Sequence, residues 1–320
     1  MRAFRVHDHD GPPRLDEVAI PQPGTGEILV RIAACGLNFA DLLTIKGTYQ
    51  AIPPLPATIG MEPAGTIDTL GAGVEGLKIG QRVAVHAGHG GLAEYGVFRA
   101  EDAIALPDDM PFKIAAGFMV AYGTSHLGLT RRARLKTGER LVVLGAAGGV
   151  GLTAVEIGAG LGAEVVAVAR GADKLEVARR AGAHHLIDSE KTDLRAALKD
   201  LGGVDVIYDA VGGDLTTAAL RACRPEARLL LVGFASGDLP KLAANHLLVK
   251  NVDAIGFYWG GYGQFAPDVL TDSLAELMGW YVDGRLSPHV GDTFPLDRTQ
   301  EALDFLSGRK STGKVVVTMP

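Results

Sequence analysis

The chain has 320 residues, of which 47% are hydrophobic and 21% are charged, and its formal net charge is -6. A chain of this length is expected to form about two domains, and this composition excludes a disordered or fibrous protein. The negative charge argues against nucleic acid as a partner, and two cysteines, Cys35 and Cys223, are too few for a disulfide framework.

The N-terminal segment from Met1 to Val6 predicts a strand, and it lacks the apolar core and the small-residue cleavage site of a signal peptide, so no export is expected. Apolar segments elsewhere are interrupted by Gly, Pro or charged residues well before the roughly 18 residues that a transmembrane helix needs. We therefore expect a cytoplasmic protein without a membrane partner, and the low cysteine content fits a reducing compartment.

Residues 1 to about 120 predict a β-rich domain. Short apolar segments are separated there by clusters of Gly, Pro and Asp, a spacing typical of antiparallel strands in a barrel. These segments are 28–33, 64–70, 82–86 and 93–98.

From about residue 121 the pattern changes to strands that alternate with helices. The predicted strands are 141–145, 164–169, 184–187, 204–209, 227–232 and 252–258. Six strands with helices between them indicate an α/β fold with a doubly wound parallel sheet of the Rossmann type.

The last part of the chain changes pattern once more. It predicts a helix at 267–282, a strand near 289–295, a helix near 298–307 and a strand at 314–318. Because the parallel sheet already has its six strands, we expect this part to return to the first domain. The predicted domains are therefore 1–121 with 261–320, and 122–260.

A glycine-rich turn lies between the first predicted strand of the parallel sheet and a helix. Residues 146–151 fit the dinucleotide fingerprint G-x-G-x-x-G, with Ala146 in place of the first glycine. Gly148 would let the backbone approach a pyrophosphate, Gly151 would let helix and strand pack closely, and the helix N-terminus would offer N–H groups to the phosphates. The residues predicted to bind the dinucleotide are Ala147, Gly148, Gly149, Val150 and Gly151.

The end of the second predicted strand indicates the choice of coenzyme. In NAD-specific domains an acidic residue there binds the ribose hydroxyls, but this chain has Ala169, followed by Arg170 and Lys174. A guanidinium and an ammonium favour the 2′-phosphate of NADPH. The alternative is that Arg170 and Lys174 only form a solvated helix start.

Five stretches together resemble the medium-chain dehydrogenase/reductase superfamily, and within it the zinc-free quinone oxidoreductases related to zeta-crystallin. They are 36–43, 59–65, 145–151, 208–212 and 312–316. The resemblance covers essentially the full length of the chain. It implies a GroES-like barrel for the β-rich domain beside the Rossmann domain.

The resemblance also bears on metal binding. In zinc-dependent members of the superfamily, metal ligands stand at the positions that match Asn38 and Met61. An amide and a thioether are poor partners for zinc, which favours thiolate, imidazole and carboxylate groups. The four closely spaced cysteines of a structural zinc loop are missing as well, so we expect no metal site.

Without a metal to polarise a carbonyl group, the favoured reaction is reduction of an acceptor that conjugation already activates. The resemblance implies an NADPH-dependent quinone oxidoreductase that holds the nicotinamide against a small-molecule quinone in a cleft between the domains. A reductase of enones, enals or enoyl thioesters is the alternative among enzymes. A non-catalytic NADPH-binding structural or RNA-binding protein is the alternative of another class, since zeta-crystallin is a lens protein.

Asn38 and Tyr49 are the candidate catalytic residues, because the resemblance places their segment along the cleft. In the similar enoyl thioester reductases, the tyrosine that matches Tyr49 is assigned as proton donor or substrate polariser. A phenol with a pKa of about 10 stays protonated at neutral pH and can donate to a developing enolate. The alternative is structural: Asn38 caps a helix, Asp41 holds the helix start and Tyr49 is a half-buried loop residue.

Further cofactor contacts are implied by the resemblance. Thr124 matches a threonine near the nicotinamide, with capping of the helix between the domains as its alternative role. Val211, Gly233 and Phe234 lie in loops after two predicted strands, where a cofactor along the carboxyl edge of the sheet would touch them. Lys314 matches a lysine near the cofactor phosphates.

We also expect a homodimer. The segment 252–259 predicts an apolar strand at the edge of the parallel sheet, and an unpaired apolar edge invites association. In related dehydrogenases this edge pairs across a two-fold axis.

Overall fold

The computed structural model describes residues 1–320, and the chain forms two compact units. Unit 1 consists of Met1–Val120 and Pro288–Pro320, and unit 2 is Ala121–Ser287. The chain therefore leaves unit 1 close to the predicted position and returns to it later than predicted.

The second boundary of the predicted domains needs correction from 261 to Pro288. Residues 261–287 belong to unit 2, because the long helix in this segment packs there. His126 Nδ1 lies 2.8 Å from Ser273 Oγ, and its ring meets the edge of Trp280 with ring centroids 5.0 Å apart. These contacts join positions far apart in sequence, which local patterns do not report.

Sixteen strands and eleven α-helices follow one another along the chain. The strands are β1 (Arg2–Val6), β2 (Arg14–Glu17), β3 (Glu27–Leu37), β4 (Ala57–Thr58), β5 (Glu62–Leu70), β6 (Arg82–Val85), β7 (Tyr95–Arg99), β8 (Ala103–Ala105), β9 (Arg140–Leu144), β10 (Glu164–Ala169), β11 (His185–Asp188), β12 (Val204–Asp209), β13 (Cys223–Leu231), β14 (Asp253–Gly256), β15 (Val290–Pro295) and β16 (Lys314–Thr318). The helices are α1 (Phe39–Ile45), α2 (Phe112–Ala115), α3 (Met119–Leu127), α4 (Gly149–Gly160), α5 (Ala172–Arg180), α6 (Leu194–Asp200), α7 (Gly213–Ala222), α8 (Ala244–Lys250), α9 (Tyr262–Phe265), α10 (Pro267–Val282) and α11 (Thr299–Ser307). None of the helices combines the length and the apolar character that crossing a membrane requires.

Unit 2 is built on a parallel sheet of six strands in the order β11-β10-β9-β12-β13-β14. The central strand β9 carries Leu141, Val142, Val143 and Leu144, all without exposed surface. Strands covered on both faces read as continuous apolar runs, which is why the sequence shows them clearly. The doubly wound α/β fold predicted for this part is confirmed.

Unit 1 contains a sheet of seven strands, in which β15-β16-β3-β5-β6-β8 are adjacent in that order and β7 pairs with β3. Strand β3 is the longest and pairs antiparallel with β5, β7 and β16. The C-terminal strand β16 therefore joins the N-terminal part of the chain, as the sequence predicts. A smaller sheet, β2-β1-β4, completes the β-rich unit.

Helix α4 lies very close to the turn after β9 at Gly151. A Cβ atom there would meet the carbonyl oxygen of Gly145 closer than 3.0 Å, a separation that real Cβ atoms essentially never show. Gly160, at the other end of α4, has open space around the same position. Only the first of these two glycines is required by packing.

Replacing Gly151 with Ala should therefore lower the free energy of unfolding by about 2 kcal/mol or more, because backbone must move to admit the methyl group. Gly160→Ala is the matched control and should be neutral or stabilising by about 0.5–1 kcal/mol, since alanine favours helix. Chemical denaturation of the three proteins measures both changes. Equal stabilities for all three would contradict the packing argument.

Candidate functional site

The glycine-rich turn of unit 2 is formed by Gly145 rather than by the residue that follows it. Gly145 has a φ of 76°, a backbone conformation that favours glycine, and its N–H and that of Ala146 both donate to Val168 O at 3.0 Å. The interpretation of Ala146 as a replaced first glycine is thus corrected. The glycine that the sharp turn needs is present one residue earlier.

The next glycine of the turn leaves space for a ligand. Gly148 is the N-cap residue of α4, and a Cβ atom there would find only Gly145 O, at 3.4 Å, within 4 Å. The first N–H groups of a helix have no partner inside the helix, and they bind anions such as phosphates. The residues present therefore fit a dinucleotide pyrophosphate at this turn.

A buried group of hydroxyls contacts the start of α4, next to the turn. The sequence analysis did not identify this group. Ser125 Oγ donates to Val150 O at 2.9 Å and lies 2.8 Å from Thr153 Oγ1 and 3.1 Å from Tyr208 OH. The adjacent Thr124 lies inside α3, which begins at Met119, so its alternative role as a helix cap is wrong. Thr124 is buried.

The loop after β12 is shaped by Asp209, whose side chain is completely buried. Asp209 Oδ1 accepts hydrogen bonds from the N–H groups of Val211 at 2.9 Å and Gly212 at 2.8 Å. The Val211 side chain packs against the sharp turn, because a Cβ atom on Gly145 would lie 2.8 Å from Val211 Cγ2. The structure therefore brings the predicted contact Val211 to the glycine turn.

Gly233 and Phe234 follow β13 at the same edge of the sheet. The N–H of Gly233 donates to Asp209 O at 3.2 Å, so this loop lies beside the previous one. Phe234 keeps 38% of its surface exposed. An exposed aromatic ring at the carboxyl edge of a parallel sheet is available to contact a ligand.

The predicted cations at the end of β10 lie close to one another. Ala169 is buried, Arg170 is exposed, and Lys174 on α5 is half-buried. Burial lowers the pKa of the Lys174 ammonium, and the nearby charge of Arg170 lowers it further, against the opposing influence of Glu190. Two neighbouring cations that repel one another are stabilised when an anion binds between them.

Unit 1 contains a buried polar cluster formed by Asn38, Glu62 and Lys314. Asn38 Nδ2 donates to Glu62 Oε1 at 2.9 Å, and Asn38 Oδ1 accepts from Lys314 Nζ at 2.8 Å. The Lys314 ammonium also forms an ion pair with Glu62. Exposure is 8% for Asn38, 1% for Glu62 and 5% for Lys314.

These contacts bear on which of the two roles predicted for Asn38 it has. It is the N-cap residue of α1, as its alternative interpretation has it, and both ends of its amide are engaged inside the protein. The placement favours a structural role and leaves Tyr49 as the candidate for contact with a substrate. Tyr49 is half-buried and follows α1 by a few residues.

The structure places Lys314, which is predicted to lie near the cofactor phosphates, in this cluster. Its partners are Asn38 and Glu62, and both it and they are buried. Glu62, which also accepts from the N–H of Val120 at 3.1 Å, was missed as a site residue. The available signal is a lone acid inside the otherwise uncharged stretch 59–67.

A second buried acid lies close to the cluster. The Asp41 carboxylate accepts a hydrogen bond from the N–H of Asn38 at 2.8 Å, which completes a capping box with the helix start. Burial raises the pKa of Asp41 to about 7; the Asn38 N–H and the Lys314 charge lower it, while Glu62 raises it. Burial also raises the pKa of Glu62, against the lowering influence of Lys314. The carboxyl groups of Asp41 and Glu62 thus both interact with the charge of Lys314.

The positions that match zinc ligands hold Asn38, engaged as described, and Met61, which is buried. No group of three or more His, Cys, Asp or Glu side chains is arranged to hold a metal ion.

Comparison with known proteins gives full-length matches. Residues 24–108 match the family model "Alcohol dehydrogenase GroES-like domain", and residues 149–275 match "Zinc-binding dehydrogenase". Quinone oxidoreductase-like protein 2 of Bos taurus is 36% identical over 312 residues, which cover 96% of this chain and 89% of that protein.

Two solved structures are also similar to this chain. The quinone oxidoreductase of Escherichia coli, solved in complex with NADPH, superposes with a TM-score of 0.91 at 28% identity and covers 99% of this chain and 100% of its own. The quinone oxidoreductase of Thermus thermophilus, also solved with NADPH, gives a TM-score of 0.87 at 30% identity, with coverage of 99% and 100%.

The raised pKa of Asp41 predicts a pH dependence of stability. An acid whose pKa is raised on folding binds its proton more tightly in the folded state, so stability falls as pH rises from its unfolded pKa, about 4, to its folded pKa. For Asp41 that folded pKa is about 7. Asp41→Asn removes this titration and keeps an oxygen for the Asn38 N–H.

Between about pH 4.5 and pH 7.5 the unmodified protein should therefore lose at least about 1 kcal/mol more unfolding free energy than Asp41→Asn. The exposed Asp10→Asn serves as control and should follow the unmodified protein. Denaturant titrations across this range measure the slopes. Parallel curves for all three proteins would show that Asp41 keeps an ordinary pKa.

Proposed function

Because the chain belongs to the zinc-free quinone oxidoreductases of the medium-chain dehydrogenase/reductase family, we propose that it reduces a quinone with NADPH and without a metal. The observation that carries the proposal is the glycine turn of unit 2, where Gly148 leaves space for a pyrophosphate and two cations stand at the end of β10. The cofactor, when bound, supplies the hydride. The protein binds and orients both reactants and manages the accompanying proton.

The residues of unit 2 account for binding and orientation of the cofactor. The N–H groups at the start of α4 bind the pyrophosphate, and Arg170 and Lys174 bind the 2′-phosphate in place of the acid that would repel it. Val211 lies against the same turn, and Phe234 offers an exposed ring at the same edge of the sheet. These contacts fix the cofactor along the carboxyl ends of the strands.

We assign Tyr49 of unit 1 as the donor of the proton that the reaction needs. Two-electron reduction of a quinone to a hydroquinone takes up one hydride and one proton. The phenol holds a proton at its oxygen at neutral pH and can donate it to the developing oxygen anion of the acceptor. A hydroquinone anion is a weaker base than an enolate, so water can also supply its proton.

Oxidation of NADPH, followed by its absorbance, with a panel of quinones, enals and enoyl thioesters tests the proposed function. The highest kcat/KM should be found with a quinone. A higher value with an enal or enoyl thioester would instead identify the chain as a reductase of conjugated C=C bonds. Binding of NADPH without turnover of any acceptor would identify a non-catalytic binding protein.

The coenzyme preference gives a prediction. NADPH should exceed NADH at least about tenfold in kcat/KM, a difference of only about 1.4 kcal/mol. Arg170→Ala should raise the KM for NADPH and leave that for NADH nearly unchanged, because only NADPH carries the 2′-phosphate. Arg180→Ala, an exposed change at the far end of α5, is the control and should alter neither. Equal use of both coenzymes by the unmodified protein would contradict the assignment of Arg170.

The assignment of Tyr49 gives another prediction. Tyr49→Phe should lower kcat on enones at least about tenfold, as expected for loss of a general acid, and should affect quinones much less. Tyr95→Phe on β7, also half-buried in unit 1, provides the control. Equal and negligible losses of kcat on both acceptor classes would show that Tyr49 only packs in the structure and does not donate a proton.

The edge strand β14 supports a homodimer as part of the proposal. It lies at the end of the six-stranded sheet, pairs only with β13, and is largely exposed in the single chain. Unpaired N–H and C=O groups on such an edge favour pairing with a second copy. Light scattering at micromolar concentration should give the mass of two chains; the mass of one chain would rule out this dimer.

A further inference from the structure

Lys314 joins parts of unit 1 that are very distant in sequence. Lys314 lies at the start of the C-terminal strand β16. Its ammonium contacts Glu62, which lies 252 positions earlier in the sequence, and Asn38, which lies 276 positions earlier. The side chain is only 6% exposed, so these contacts are made out of reach of bulk water. Electrostatic contacts in such surroundings are strong and directional.

The contact with Asn38 acts on the start of α1, which ends at Ile45, and a hydrogen-bonded turn connects the end of α1 to Tyr49. At the start, the N–H of Asp41 donates to Asn38 O at 3.0 Å and the Asp41 carboxylate accepts from the Asn38 N–H. At the end, the N–H of Thr48 donates to Leu43 O at 2.9 Å. The stretch from Asn38 to Thr48 is therefore one hydrogen-bonded piece, and Tyr49 is the next residue.

We propose that Lys314 is a positioning residue for reduction of the acceptor: through Asn38 Oδ1 it fixes the start of α1, and through α1 it fixes the phenol of Tyr49. The inference rests on the proposed function, because the consequence for catalysis depends on the role of Tyr49. A small displacement of a reacting group lowers the rate strongly, so a distant anchor can limit kcat.

The ion pair with Glu62 has to be separated from this positioning role. Loss of Lys314 alone leaves Glu62 buried without its cation, which destabilises the protein whatever Asn38 does. Loss of both charges removes that penalty but still removes the donor to Asn38 Oδ1. The pair of variants Lys314→Met and Glu62→Gln/Lys314→Met therefore distinguishes a counter-ion from an anchor.

Lys314→Met should lower Tm by about 5 °C or more, and the double variant should recover most of that loss. Both variants should lose about tenfold or more in kcat on enones, measured well below their Tm, because both lack the anchor. The dissociation constant for NADPH should change by less than about twofold, since residues of unit 2 bind it. Arg228→Met, which removes a buried arginine and its ion pair with the half-buried Glu139 in unit 2, should lower Tm without lowering kcat.

A pH signature accompanies the single variant. In Lys314→Met the pKa of Glu62, which burial already raises, loses its main lowering influence, so Tm should fall as pH rises from about 5 to about 8. The double variant should lack this extra slope, because it has no acid at residue 62. The other titratable groups near Glu62, Asp41 and Cys35, are present in both variants. The Glu62 charge raises the pKa of each of them only in the single variant, so its influence on Asp41 adds to the slope of that variant.

Hydrogen exchange of the peptide that contains Asn38 to Tyr49 tests the anchor without any acceptor. Faster exchange of these amides in both variants, with unchanged exchange in unit 2, is the expected result. Recovery of kcat by the double variant, or unchanged exchange in this peptide in both variants, would overturn the proposal. If the unmodified protein reduces no acceptor, the proposed function fails, and the exchange measurement still decides whether Lys314 fixes this segment.

Discussion

Unit 1 depends on an ion pair that is shielded from water, the contact between Glu62 and Lys314. Removing one partner of such a pair costs about 3–5 kcal/mol, a large part of the 5–15 kcal/mol by which proteins are usually stable. Because one partner lies on the last strand and the other at the start of β5, the pair holds the C-terminal end of the chain against the N-terminal part. Asn38 completes the arrangement, since its amide bridges both charges.

In unit 2 the arrangement of the candidate cofactor site depends on backbone geometry instead of on a buried ion pair. Gly145 turns the chain sharply after β9, and the missing side chain of Gly151 lets α4 begin directly against that turn. Close packing of helix and strand at this point aims the first N–H groups of α4 at the space beside Gly148. The two units thus contribute differently to the proposed reaction: one would present backbone donors and surface cations to a cofactor, and in the other we propose that the hydrogen bond from Lys314 to Asn38 keeps the phenol of Tyr49 in place.

Much of the fold can be predicted from the sequence, because strands and helices leave local periodic patterns. The patterns predict the helix at 267–282 and the strand at 314–318 with the bounds that the structure gives them. The unit boundary and the partners of Lys314 depend on contacts between distant residues, which no local pattern contains. Lys314 shows this best: a lysine is usually exposed, and only its position opposite Glu62 explains why this one is buried.

The central claim is that the chain moves a hydride from NADPH to a quinone, and isotope labelling tests it most directly. NADPH carrying deuterium at either of the two faces of its nicotinamide C4 would be oxidised with a quinone under anaerobic conditions. A bound, oriented cofactor predicts that only one of the two labelled forms loses its deuterium and reacts more slowly, with one hydroquinone formed for each NADPH. Loss of deuterium from both faces alike, or oxidation no faster than without protein, would contradict the account.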